Sequence, residues 1–239
     1  MSAAALVIAL LAMGLGGFVQ GTIGFGSNLV AVPIVGLLAP AAVPGAFYVV
    51  SLPICVVMAL HEREHIDWPG ARTILVGRVP GTLVGVALLA ALTPTTRLVA
   101  VGIVVLIATA LTAFGSPVPV NRGTELAAGA TAGVTGTIAG VDGPALALLH
   151  QHSRPEMLRA TLAVVFAGGG LMSLAIAATQ GVVHGWQLLL SLVLVPALLT
   201  GQEIARRTRH RFPPHLFRVA VLTLTAAAGV SVIVRGLAG

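Results

Sequence analysis

Eight apolar stretches follow one another along the chain, near residues 3–39, 42–60, 71–92, 97–114, 124–150, 158–180, 185–204 and 215–236. A helix crossing the hydrocarbon core of a bilayer needs about 20 apolar residues. Lipid accepts backbone only where its hydrogen bonds are closed within the protein. Six of the stretches fit as plain spans. The first and the fifth do not, because glycine-rich segments interrupt them: GTIGFGSN at 21–28 and GTIAGVDGP at 136–144. A helix entering such a segment gives up backbone hydrogen bonds in mid-membrane. The sequence therefore predicts an all-α polytopic membrane protein with two broken helical hairpins.

Composition agrees with lipid as the solvent. Only 8% of the 239 residues are charged, against roughly a quarter in a soluble domain, and mean hydropathy is +1.03. The N-terminal stretch MSAAALVIALLAMGLGG has no basic leader region and is expected to stay as a membrane segment. Cys55, the one cysteine, sits in an apolar run and is expected as a buried thiol. The net charge of +6 comes from arginine alone. Those arginines flank apolar runs, which suits membrane topology and not a nucleic-acid surface.

The two breaks belong to an internal duplication. Gly21-Thr22-Ile23 returns as Gly136-Thr137-Ile138, VPGTLVG (79–85) as VPALLTG (195–201), and Asp67-Trp68 as Gly185-Trp186. Pro94 likewise pairs with Pro214. The order is kept at nearly constant spacing, so residues 1–115 and 116–239 are predicted to be two membrane repeats. Arginine placement then chooses the topology. If each broken segment enters and leaves on one face, Arg63, Arg72, Arg122, Arg154, Arg159, Arg206, Arg207, Arg209, Arg211 and Arg218 share the cytoplasmic side, with Arg97 and Arg235 opposite. A parallel arrangement divides them eight to four, with Arg78 set aside inside a span. Inverted repeats in a cell inner membrane are the expectation, each a re-entrant hairpin followed by three spans.

One motif points elsewhere. His61-Glu62-Arg63-Glu64-His65 fits HExxH, which in a zinc protease places two histidine ligands and a general base on one helix. Here Trp68-Pro69-Gly70 follows as a stop signal, and no third ligand is well placed. The matching loop of the second half has no such motif. An intramembrane zinc protease through His61, Glu62 and His65 stays only as a remote alternative; no metal or cofactor is expected.

The chemistry is expected at the breaks, where unwound amides and helix ends can hold a small anion. The candidates are Gly21, Thr22, Gly24, Gly26, Ser27 and Asn28 in the first, and Gly136, Thr137, Gly140, Asp142 and Gly143 in the second. Pro144 suits the first turn of the half-helix that follows. Packing alone is the competing explanation for the glycines. Asp142, a costly carboxylate at this depth, is read either as a proton carrier or as the cap of that half-helix. Arg78 can pair with Asp142 or bind the anion, but snorkelling to the cytoplasmic face is favoured. Gln202 and Glu203 are expected at the interface, and His150, His152, His184, His210 and His215 receive no ligand role.

The glycine pattern of both breaks, Pro33 in LVAVPIV, the IDW turn and the Pro-x-x-x-x-Gly helix resemble the TauE/SafE sulfite-exporter family over nearly the whole chain. The resemblance implies a secondary transporter, not an enzyme, for sulfite, a sulfonate or a related small anion. It carries the family's glycine-rich stretches onto Gly21, Gly24, Gly26 and Pro33, and onto Gly136, Gly140, Gly143 and Pro144. Asp142 departs from the pattern, and a fixed negative charge there repels an anion unless it is protonated or paired. A carrier of a metal cation or a neutral solute using Asp142 is the alternative. The sequence holds no GxxxxGK[ST] motif, so an ion gradient or a partner chain must supply the energy. The expected partners are the small anion, membrane lipid and a second copy of the chain in a homodimer.

Overall fold

The structure is a computed structural model that describes residues 2–150, 153–208 and 214–238. Arg209, Arg211, His152 and His210 lie outside the described residues, as do the side chains of His215 and Arg218. All regular structure among the described residues is helical. The first half holds α1 (Ala3–Ile23), α2 (Ser27–Leu38), α3 (Phe47–Val50), α4 (Leu52–His61), α5 (Trp68–Ala91) and α6 (Pro94–Phe114). The second holds α7 (Arg122–Ala139), α8 (Gly143–Leu149), α9 (Pro155–Thr179), α10 (Gly185–Thr208) and α11 (Pro214–Ala238).

Local chemistry sets the helix ends. Asn121 and Thr124 form a reciprocal capping box that starts α7. The Thr93 hydroxyl accepts from the Thr96 amide at the start of α6. Asp67 accepts from the Gly70 amide at 3.1 Å, and Pro69 falls in the first turn of α5. The Trp68-Pro69-Gly70 stop is thus also the beginning of the next helix.

Among the described residues six helices are long and apolar enough to cross a membrane: α1, α5, α6, α9, α10 and residues 219–238 of α11. Two expectations need correction here. The stretch 42–60 is not one span but α3 and α4, divided at Ser51. Pro53, in the first turn of α4, has no N–H to carry a helix through that point. The other correction concerns α1, which runs unbroken for 21 residues. Its glycines up to Gly21 remain helical.

Those helical glycines do bring backbones together, as the packing explanation required. A Cβ on Gly201 of α10 would lie 1.9 Å from the Gly14 carbonyl oxygen of α1, and one on Gly17 would lie 2.1 Å from the Leu198 carbonyl oxygen. The α5–α7 pair repeats the device, with Gly81 against Ala130 and Gly129 against Ile74. Lipid provides little hydrophobic drive between helices, so close backbone contact supplies the attraction. Each of these pairs joins one half of the chain to the other. The α6–α11 and α4–α9 pairs do the same.

The ends of the two short half-helices are also located. The Val118 amide donates to the Leu148 carbonyl at 3.3 Å, so α8 finishes beside the segment leading into α7. Arg235, near the end of α11, donates to the Leu37 carbonyl at the end of α2. Large apolar side chains such as Leu11, Val76, Leu189 and Leu192 point outward.

Candidate functional site

Each broken segment unwinds over only three residues. Gly24 ends α1 at φ 96°, its amide donating to the Gln20 carbonyl, and Gly26 precedes α2 at φ 107°. Gly140 ends α7 at φ 71° in the same manner, with its amide on the Gly136 carbonyl. Positive φ is the conformation that glycine alone adopts without steric penalty. The breaks are therefore Gly24-Phe25-Gly26 and Gly140-Val141-Asp142. They face each other: the Asn28 side-chain amide donates to the Gly140 carbonyl at 2.8 Å and to the Phe47 carbonyl at 3.3 Å. A Cβ on Gly143 would strike the Phe25 ring.

Between them lies a cavity of about 30 Å³, room for a few water-sized bodies. Of the residues expected at the site, Gly26, Ser27, Asn28, Gly136, Gly140, Asp142 and Gly143 line it, together with Arg78. Gly21, Thr22, Gly24 and Thr137 do not. Gly21 packs on Gln202 and Ala205, and the Thr22 hydroxyl bonds back to the Phe18 carbonyl at 2.8 Å. Thr137 braces the cavity from behind: its carbonyl accepts from the Tyr48 hydroxyl at 2.5 Å, and its own hydroxyl meets that of Ser173 at 3.1 Å.

Sequence reasoning missed Gln20, Tyr48, Ser51 and Ser173, which complete the polar lining. Gln20 accepts from the Ser27 hydroxyl and donates toward the Cys55 sulfur at 3.7 Å. Each of the four is a polar side chain set within an apolar run, and that is the available signal.

Arg78 occupies the centre. It does not snorkel: it is 1% exposed, and its Nη1 donates to Asp142 Oδ2 at 2.6 Å. The reason is a slot that only glycines leave open. A Cβ on Gly169 would fall 2.1 Å from the guanidinium carbon, and one on Gly136 would fall 2.6 Å from Nη2. Asp142 precedes α8, yet its carboxylate makes no capping bond and goes to Arg78 instead. A buried charge without its partner costs about 3–5 kcal/mol, so the two hold each other in place. One donor is still unused. Arg78 Nε is buried with no hydrogen-bond partner.

The HExxH stretch forms no zinc-protease geometry. The helix α4 stops at His61, and Arg63–His65 is a separate 3-10 turn, so the two histidines share no helix face. His61 Nδ1 contacts the Val57 carbonyl, and both histidines are exposed. Glu62 is taken by Arg159 of α9, whose Nε lies 2.9 and 3.1 Å from its two oxygens. Among the described residues no group of three His, Cys, Asp or Glu could hold a metal ion.

The family model for the sulfite exporter TauE/SafE matches residues 8–232. The chain belongs to the TauE/SafE family. No curated protein and no solved structure gives a match. A TauE/SafE protein with six membrane-length helices is a polytopic membrane protein of a transporter family. In this TauE/SafE chain both breaks line one cavity with a buried guanidinium, which the second break grips through Asp142.

Proposed function

We propose that this TauE/SafE protein is a secondary transporter that moves a small oxyanion of the sulfite type across a cell inner membrane. Arg78 carries the reading. It is a fully buried guanidinium on the cavity wall with an unused Nε donor, at the point where the two breaks meet. Charge-assisted hydrogen bonds from arginine suit the oxygens of sulfite or of a sulfonate head. Ser27, Asn28 and Ser173 make the wall beside it polar, with the Ser27 hydroxyl engaged by Gln20 and the Asn28 amide by the Gly140 and Phe47 carbonyls. The small cavity favours compact anions over long-tailed sulfonates. Asp142 is already neutralised by Arg78, which weighs against a cation carrier.

The mechanism we assign is alternating access between inverted repeats of residues 1–115 and 116–239. Its support is the position of the half-helix ends, with α8 returning to the approach of α7 and α2 ending beside the end of α11. Exchanged pairing supports it further: α1 packs on α10 and α7 on α5, the same partnership with the halves reversed. Paired breaks between such repeats are a common carrier design.

Flux into proteoliposomes tests the function. Radiolabelled sulfite, sulfoacetate and taurine are offered to vesicles with and without the protein. Saturable sulfite uptake is expected. Uptake of none of them, or peptide cleavage by the same preparation, overturns the proposal.

A further inference from the structure

The guanidinium that is to receive the anion already holds one, the carboxylate of Asp142, at 2.6 Å. We propose that the transported anion and a proton are carried together: a proton neutralises Asp142, the carboxyl releases Arg78, and the anion takes its place. This rests on the anion-carrier reading above and adds the coupling ion to it.

Geometry says which partner yields. Arg78 is wedged between Gly169 and Gly136, where a single added carbon would stand 2.1 and 2.6 Å from its atoms, so the cation is fixed. Asp142 sits on a three-residue break, makes no capping bond, and has 17% of its side chain open to the cavity. The carboxylate is the group with somewhere to go.

The surroundings offer no substitute. Facing the pair are Gln20 from α1, Ser27 and Asn28 from α2, Tyr48 and Ser51 beside α4, and Ser173 from α9, with Cys55 behind Gln20. Among the described residues, Arg78 and Asp142 are the only charged groups on this wall. The titratable Tyr48 hydroxyl is bound to the Thr137 carbonyl, and the Cys55 sulfur accepts from Gln20. Two anions on one guanidinium would leave an unpaired charge in a low-dielectric site.

The charge balance closes. In the empty carrier Arg78 and the Asp142 carboxylate sum to zero. In the loaded carrier Arg78 and a monoanion, bisulfite in the case of sulfite, sum to zero, and Asp142 is a neutral acid carrying the proton taken from solvent. No net charge has to cross the bilayer in either form, which removes a large electrostatic barrier. Direction follows from linkage: the form that binds the anion is the protonated one. Anion affinity therefore falls as pH rises.

The test uses the purified full chain and sulfite as the probe, in weak buffer from pH 6 to 9. Protons taken up per sulfite bound are counted for the wild type and for Asp142→Asn, which subtracts the titration of sulfite itself. The wild type is expected to take up one proton more per anion than the variant. In proteoliposomes at clamped membrane potential, a one-unit pH gradient should drive accumulation by the wild type about tenfold above that reached by Asp142→Asn, because the variant gives only the trapping that bisulfite dissociation on the alkaline side produces. Asp142→Glu should restore the wild-type excess. Equal proton counts with sulfite bound by both proteins sink the coupling alone. Should the Asn variant not fold, potential-driven accumulation by the wild type without pH dependence sinks it as well. Sulfite binding by neither protein sinks the carrier reading and this proposal together.

Discussion

Gly169 should be indispensable although it touches no anion. Its Cβ, if present, would lie 2.1 Å from Arg78 Cζ, 2.2 Å from Nε and 2.5 Å from Nη1. Ordinary contact for such atoms is about 3.5 Å, so in Gly169→Ala the guanidinium must retreat by about 1.4 Å. It cannot retreat freely, because Gly136 and Asp142 close the opposite side. Displacement on this scale is expected to lower transport about 100-fold, the cost of misplacing a binding group by about 1 Å. Partial loss of the buried pair should destabilise the fold by up to about 3 kcal/mol. The neighbour provides the control. A Cβ on Gly168 would meet only the flexible Leu75 side chain, at 3.1 Å, so Gly168→Ala should transport within about twofold of wild type and lose under about 1 kcal/mol. The assay is the initial rate of labelled sulfite uptake into proteoliposomes, with thermal unfolding measured on the same preparations. A folded Gly169→Ala protein that transports like the wild type would refute the reasoning.

Three further outcomes follow from other contacts. Gly201→Leu would drive a side chain into the Gly14 carbonyl, 1.9 Å from its Cβ, and should cost about 3 kcal/mol or more by overpacking, read as a lower unfolding temperature in detergent. Glu62→Gln leaves the buried Arg159 with only the more distant Glu156, 3.7 Å away, and should cost about 1–3 kcal/mol. The exchange Glu62→Arg with Arg159→Glu should recover much of that loss, and no recovery would show the pair to be incidental. In a Cys55→Ala background, Arg154→Cys should resist a membrane-impermeant maleimide in intact cells and react in inverted vesicles. Labelling in intact cells contradicts the proposed topology.

Much of this arrangement could be read from the residues, for identifiable reasons. Apolar runs bounded by caps such as Asn121 and Thr93 became helices near the expected limits. The breaks were found as segments, but their extent was not. A glycine in a helix looks alike in sequence whether it packs, as Gly21 does, or unwinds the chain, as Gly26 does. What separates them is the neighbour: backbone of α10 for one, positive φ and a facing loop for the other. The stretch 42–60 misled because Ser51 and Pro53 interrupt a run whose hydropathy is continuous.

Sequence alone favours the cytoplasmic face for Arg78 because its partner and its slot, Asp142 and Gly169, lie 64 residues or more away in the chain. The duplication did contain a hint. At the 116-residue offset that relates Pro80 to Pro196, Arg78 stands opposite Leu194, and Asp142 opposite Gly26. The two charges are where the repeat is broken, and each is intelligible only with the other.

The most direct measurement is equilibrium binding of labelled sulfite to the purified protein, wild type against Arg78→Gln, with unfolding temperature and elution volume measured alongside. The account predicts saturable binding of one anion per chain by the wild type and its loss in a folded Arg78→Gln protein. Undiminished binding by that variant would contradict it, because the cargo would then be held somewhere other than between the breaks.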